Sequence, residues 1–296
     1  MGTVTLLENL RAVFYAPFYV AVARNYFADH GVEVRFLEST DPGDTLPRLV
    51  SGEVDVCWGG PLRVLRAHNQ DPGCKLVCFN EVVGRDPFFV VGRGFGDRFS
   101  LADLKGARFG VVSEVPTPWI CLRQDLSELN VDAADIHVVE GASMAANEAA
   151  VLAGDLDAFQ TFQPFAERAV QAGCEILYAA ATRGPTAYTS FYTTRKLAAS
   201  RREDFRAMSA ACQRAVRSVK EEGGAGIAPV LEGYFPDVGR ELLAAAIDRY
   251  VSLDLYNPTG ELARAGFARL RESMLGAGFI SRGADYEACV DNTLID

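Results

Sequence analysis

Phe14-Tyr15-Ala16-Pro17-Phe18-Tyr19 is the stretch on which the reading of this chain turns. It completes an apolar run, Leu10 to Tyr15, that reads as a strand, and it opens a segment, Phe18 to His30, that reads as a helix stopped by Gly31. A strand that ends where a helix begins gathers free backbone N–H groups and the positive end of a helix dipole at one point. Such a point suits an anion or a polar ligand. Pro17 fits a first helical turn, where its missing N–H costs nothing. Phe14, Tyr15, Phe18 and Tyr19 put more aromatic bulk there than a turn needs, so the stretch is expected to form one wall of a small-molecule cleft.

Outward from this point the chain alternates. Val32 to Leu37, Val54 to Trp58 and Lys75 to Phe79 read as strands. Thr45 to Ser51 and Leu62 to His68 read as the helices between them, with turn chemistry at Thr40-Asp41-Pro42-Gly43-Asp44. Helices between strands imply βαβ units and a largely parallel sheet. Residues 81–97 form a crossing, with the apolar strand Phe88 to Gly92 and a loop, Arg93 to Asp97. The same order then repeats: strands at Arg108 to Val112, Ile136 to Val139, Asp157 to Thr161 and Glu175 to Tyr178, with helices at Trp119 to Leu129, Met144 to Ala153 and Pro164 to Ala172. Ala187 to Thr194 returns as a strand. Beyond it the chain is helical: Arg201 to Glu221, Gly239 to Tyr250 and Gly260 to Leu275, with Glu221 to Gly224 read as a helix end and loop.

The composition bounds the function. The 296 residues carry a formal charge of −10, which argues against a nucleic-acid partner, whose phosphates need a positive field. No run approaches the length of a membrane span, so no membrane insertion is expected. No secretory leader is visible at Met1, and seven cysteines at scattered spacings suit a reducing compartment. The expectation is a cytoplasmic protein as written, or a periplasmic one if a leader was trimmed. His30, His68 and His137 have no metal-ligand spacing, and Gly92-x-Gly94-x-Gly96 opens no helix, so neither a metal nor another cofactor is expected.

Several stretches resemble a known family in order and spacing: Ala16-Pro17-Phe18-Tyr19-Val20-Ala21 with Asn25-Tyr26-Phe27, Gly31-Val32-Glu33-Val34, Ser51-Gly52-Glu53-Val54-Asp55-Val56, Ser100 to Gly106, and Val151 to Ala158. Together they resemble the type II periplasmic-binding-protein fold, in the group that binds sulfonates, taurine, nitrate and thiamine-pyrimidine precursors for ABC transporters (NMT1/THI5-like). The resemblance implies an α/β protein of two lobes with the ligand cleft between them. Lobe one would hold residues 1–90 and 187–296, and lobe two residues 91–186. It also implies a small-molecule ligand and an ABC permease as partners.

Carried onto this sequence, the resemblance places ligand contacts on loops at strand ends: Phe14, Tyr15, Pro17, Phe18 and Tyr19; Cys57, Trp58, Gly59 and Gly60; Ser113, Thr117 and Trp119; Thr161 and Gln163; and Tyr188 on the return. Arg85, with Arg63 and Arg66, could pair with a carboxylate or sulfonate. The expected ligand is an organic anion or an aromatic or heteroaromatic molecule. The alternative is a cytosolic enzyme of this fold, of decarboxylase, desulfinase or pyrimidine-precursor type. Cys57 is then the only candidate nucleophile, against the commoner reading of a buried thiol.

Overall fold

The structure, a computed structural model, describes residues 2–39, 41–96 and 98–295. Thr40 of the expected turn and Asp97 of the expected loop lie outside the described residues. Ten strands form two five-stranded sheets. The first contains β1 (Val4–Leu7), β2 (Val34–Leu37), β3 (Val56–Gly59), β4 (Leu76–Val83) and β10 (Thr189–Thr194). The second contains β5 (Phe89–Gly92), β6 (Arg108–Gly110), β7 (His137–Val139), β8 (Ala158–Thr161) and β9 (Glu175–Ala179). The strand orders are β2-β1-β3-β10-β4 and β7-β6-β8-β5-β9.

These are one topology used twice. In each sheet the first βαβ pairings are parallel, and a single antiparallel strand sits in the fourth place. That strand reaches the first sheet by the return crossing and the second by the outward one. All of β5 lies in the second sheet, so a division after residue 90 passes through a strand. Strands β1, β3, β4, β5 and β8 are buried along their whole length, as expected where helices cover both faces.

The helices are α1 (Ala16–Ala23), α2 (Tyr26–Asp29), α3 (Thr45–Val50), α4 (Leu62–Gln70), α5 (Thr117–Glu128), α6 (Met144–Ala153), α7 (Phe165–Gln171), α8 (Arg195–Ser200), α9 (Arg202–Leu231), α10 (Arg240–Ser252), α11 (Arg264–Gly276) and α12 (Tyr286–Cys289). One apolar core runs from the first sheet and its α1–α9 cover into the second sheet, joining Phe79 and Phe205 to Phe89 and Phe159. A second core lies on the other face of the first sheet under α4 and α11, and takes in Ile120 and Cys121 of α5. The helical tail therefore covers the sheet that would otherwise be bare.

Three expectations are corrected. The first strand is Val4–Leu7, not Leu10 to Tyr15; Val13–Tyr15 is a 3-10 turn leading into α1. Position 11 interrupts the later run, where Arg11 is tied to Glu8 and to the Tyr234 carbonyl. Val4 to Leu7 instead pairs in register with Val34 to Leu37. The expected helix from Phe18 to His30 is two helices, broken at Asn25 with φ 56°, a left-handed conformation that Asn tolerates. The expected loop at Gly223-Gly224 is a kink inside α9. Gly223 adopts φ 58°, and the Gly224 N–H is taken up by Asp248 of α10 at 2.6 Å. A Cβ at Gly224 would stand 2.1 Å from the Ala244 carbonyl oxygen, so glycine lets α9 and α10 touch.

Candidate functional site

A cavity of about 480 Å³ opens between the two sheets. It lies outside the carboxyl ends of the parallel strands, where α/β sheets place ligands. The chain reaches it by the segments after β1 (Asn9, Tyr15), after β3 (Gly60, Leu62), after β6 (Glu114 to Thr117) and after β8 (Phe162), and by the two crossings (Phe88, Tyr188). At Gly60 the sheets come close: a Cβ there would lie 3.6 Å from the Tyr188 carbonyl and 4.0 Å from the Thr117 hydroxyl.

One end of the cavity is an aromatic box. The Phe14 ring meets Phe162 edge-on at 5.4 Å and Tyr188 at 6.2 Å, and Phe88 lies 5.3 Å from Phe162. The other end is polar. Tyr15 lies beside the Asn9 side chain and in the field of Arg63, and burial pushes its hydroxyl up to about 12, so it is a neutral hydrogen-bonding group. Asn9 Oδ1 and Tyr188 Oη are buried with no partner in the protein. Burial also pushes Tyr188 well above the usual tyrosine range.

Four charged side chains border the cavity: Arg63 and Arg66, Asp41 and Glu114. Glu114 is held by the N–H groups of Met144 (2.9 Å) and Ser113 (3.2 Å), where it caps α6. Asp41 accepts the Gly43 N–H at 2.7 Å. Arg63, half-buried on the first turn of α4, makes no ion pair and no side-chain hydrogen bond among the described residues. Arg66 is exposed and lies over the Phe279 ring at 5.0 Å. The N-termini of α4 and α5 open on the cavity without a side-chain cap, while α1 runs on from the 3-10 turn, with its Ala16 N–H taken by the Val13 carbonyl and no N–H on Pro17. Two uncapped helix starts and the Arg63 guanidinium, which has no counter-ion among the described residues, offer negative charge a place in the cavity.

Of the residues singled out from the sequence, Phe14, Tyr15, Gly60, Thr117 and Tyr188 line the cavity, as do Arg63 and Arg66. Others are set into the core behind it. Pro17 and Phe18 are buried in α1, and Phe18 stacks on Trp58 at 4.5 Å. Trp58 is sandwiched by Phe36 on its other side at 5.1 Å. Tyr19 donates to Glu8 at 3.0 Å. Gly59 packs against Asn9 and Tyr192, and Thr161 is fully buried.

Gln163 serves α7: its side-chain oxygen accepts the Glu167 N–H at 3.0 Å, and its own N–H goes to Tyr250 Oη at 2.9 Å. Trp119 lies against Phe109 at 6.0 Å on the third core, and exposed Ser113 bonds Glu114. Arg85 turns away to the Ala181 carbonyl, at the mouth of a separate small cavity beside Glu81. Cys57 is fully buried, its Sγ 3.7 Å from the Thr45 carbonyl, and burial pushes its thiol up to about 12. Cys57 does not line the cavity.

All seven cysteines are free, and only Cys74 is not buried. His68 is buried at the end of α4 with Nε2 2.9 Å from the Leu76 carbonyl, a more specific fixture than a dipole contact, while His137 is exposed. Asn9, Phe88, Glu114 and Phe162 were not singled out. Asn9 would have been found had the first strand been placed at Val4–Leu7, since it then follows the strand end directly.

Two α/β units of identical strand order, joined by two crossings with a charged cavity between them, define a two-lobed ligand-binding protein of the periplasmic-binding-protein fold. The chain belongs to the NMT1/THI5-like family, whose profile matches residues 14–222. It is 22% identical to the putative binding protein YtlA of Bacillus subtilis over 297 residues, 99% of this chain and 89% of that one. It is 31% identical to a 4-amino-5-hydroxymethyl-2-methylpyrimidine phosphate synthase of Schizosaccharomyces pombe, but over only 116 residues, 38% of this chain and 32% of that one. In structure it is similar to the periplasmic aliphatic sulphonate binding protein SsuA of Escherichia coli, with a TM-score of 0.78 at 15% identity over 98% of this chain and 92% of that one.

Proposed function

We propose that this protein is the ligand-binding component of an ABC-type import system and holds a small organic anion in the cavity between its sheets. The observation that carries the reading is the set of charges at the cavity. Arg63 has no counter-ion among the described residues, the uncapped N-termini of α4 and α5 face the same space, and both nearby carboxylates accept backbone N–H groups. Full-length similarity to a binding protein, and a fold shared with the periplasmic SsuA, support it. The two lobes are the sheet of β1–β4 and β10 with its helical tail, and the sheet of β5–β9. They hinge at the crossings near residues 84–88 and 184–188. A permease is the partner this role requires, and no helix among the described residues is long and apolar enough to cross a membrane.

Native mass spectrometry of freshly purified protein tests the reading. An extra mass corresponding to an organic anion is expected on the wild type and absent from Arg63→Gln. A bound neutral or cationic molecule, or an anion retained undiminished by Arg63→Gln, would overturn it.

A further inference from the structure

We infer that the anion is a planar aromatic acid, held with its ring in the aromatic box and its charge at Arg63; this rests on the anion-binding reading above. The two ends of the cavity differ in kind. At one end, Phe14, Phe88, Phe162 and Tyr188 are all within 6.3 Å of one another where they pair, centroid to centroid, and each is at most 5% exposed. The pairs with Phe14 at Phe162 and Tyr188 are edge-to-face at 88° and 90°. The four rings pack in contact with one another and all line the cavity, so together they present one aromatic wall, which a flat ring covers better than a puckered or flexible chain does.

At the other end stand Arg63, the neutral Tyr15 hydroxyl and the Asn9 amide. Asn9 Oδ1 and Tyr188 Oη, both on residues at least nine-tenths buried, have no protein partner, and a buried polar atom without a partner is costly unless a ligand or water completes it. A carboxylate or sulfonate can take the guanidinium and the helix N–H groups, while the Asn9 oxygen, which only accepts, and the Tyr188 hydroxyl leave room for a hydrogen-bond donor on the ring. An aliphatic anion would satisfy the charge and leave the box without a matching surface. A neutral aromatic would fill the box and leave Arg63 unpaired.

Titration calorimetry with three molecules of nearly one shape separates these terms: 2-naphthoate, its saturated analogue decahydro-2-naphthoate, and the neutral 2-naphthamide. The wild type is expected to bind 2-naphthoate at least tenfold more tightly than either analogue. Phe162→Leu should narrow the gap to the saturated acid, and Arg63→Gln the gap to the amide. Equal affinity for the naphthoate and its saturated analogue would overturn the aromatic assignment while leaving the anion reading intact. Amide binding as tight as the acid's would overturn the anion reading with it, and binding of none of the three would overturn the aromatic assignment alone. The comparison of the three ligands on wild-type protein stands whether or not either variant folds.

Discussion

Glu81→Gln should stabilise this protein at alkaline pH and leave it nearly unchanged in mild acid. Glu81 lies two residues before the end of the long strand β4 and is 4% exposed. One carboxyl oxygen accepts Asn257 Nδ2 at 2.9 Å, and the other has no partner. Arg85, the nearest basic residue in sequence, turns to the Ala181 carbonyl and Asp254, so no cation pairs with Glu81 among the described residues.

Burial therefore raises its proton affinity from the ordinary 4.5 to about 8. The unfolded chain releases this proton near 4.5 and the folded chain near 8. The stabilising contribution is complete below pH 4.5 and declines as pH rises through that interval. At about 1.4 kcal/mol per pH unit, the whole interval corresponds to a loss on the order of 5 kcal/mol. Glutamine has the shape of the protonated acid, keeps an oxygen for Asn257 and cannot ionise. Urea melts of both proteins at pH 5, 7 and 9 give the difference directly, because every other titrating group cancels. The variant's advantage should be near zero at pH 5 and several kcal/mol at pH 9. Melts that stay parallel across the range would refute the claim that an unpaired acid is buried at this point.

Other outcomes follow from single contacts. With limiting iodoacetamide, mass spectrometry of the folded protein should find Cys74 labelled first and Cys57 untouched until denaturant is added, because only Cys74 is partly open to solvent. Gly224→Ala should cost on the order of 3 kcal/mol in a denaturant melt, since its Cβ meets the Ala244 backbone, whereas Gly233→Ala, with nothing within 4 Å, should be near neutral. Arg183→Met should destabilise by roughly 3–5 kcal/mol, because it leaves Asp86 buried at 0% side-chain exposure without its cation, while Asp125 keeps only Arg269; a loss under about 1 kcal/mol would refute that pairing.

The alternation of strands and helices was legible from local pattern because each element repeats a short physical rule: a buried apolar run, an apolar stripe, a glycine in the left-handed region at its end. Met144–Ala153 with Gly154 at φ 85° is one such case, read correctly to the residue. Leu10 to Val13 was misread because a short apolar run has no period of its own. Its role depends on which segment finds a parallel partner, and Val4 to Leu7 found β2. Gly223-Gly224 looked like a stop because glycine pairs end helices; that the helix resumes depends on Asp248, 24 residues away, capping the second half.

The site divides in the same way. That a loop such as Phe14 to Tyr19 borders the ligand cleft was readable from the strand-to-helix junction, since every residue there lies at one end of one sheet. Which ring faces the cavity was not. Phe14 and Tyr15 line it, while Phe18 and Tyr19, one turn deeper in α1, pack onto Trp58 and bond Glu8 in the core behind it. The sequence by itself determined two α/β lobes, the family and the loops that meet. Only the tertiary structure decided that Arg63 has no ion-pair partner among the described residues, that Trp58 and Cys57 are core, and that Phe162 and Asn9 complete the cleft, because burial and charge pairing depend on residues brought from opposite ends of the chain.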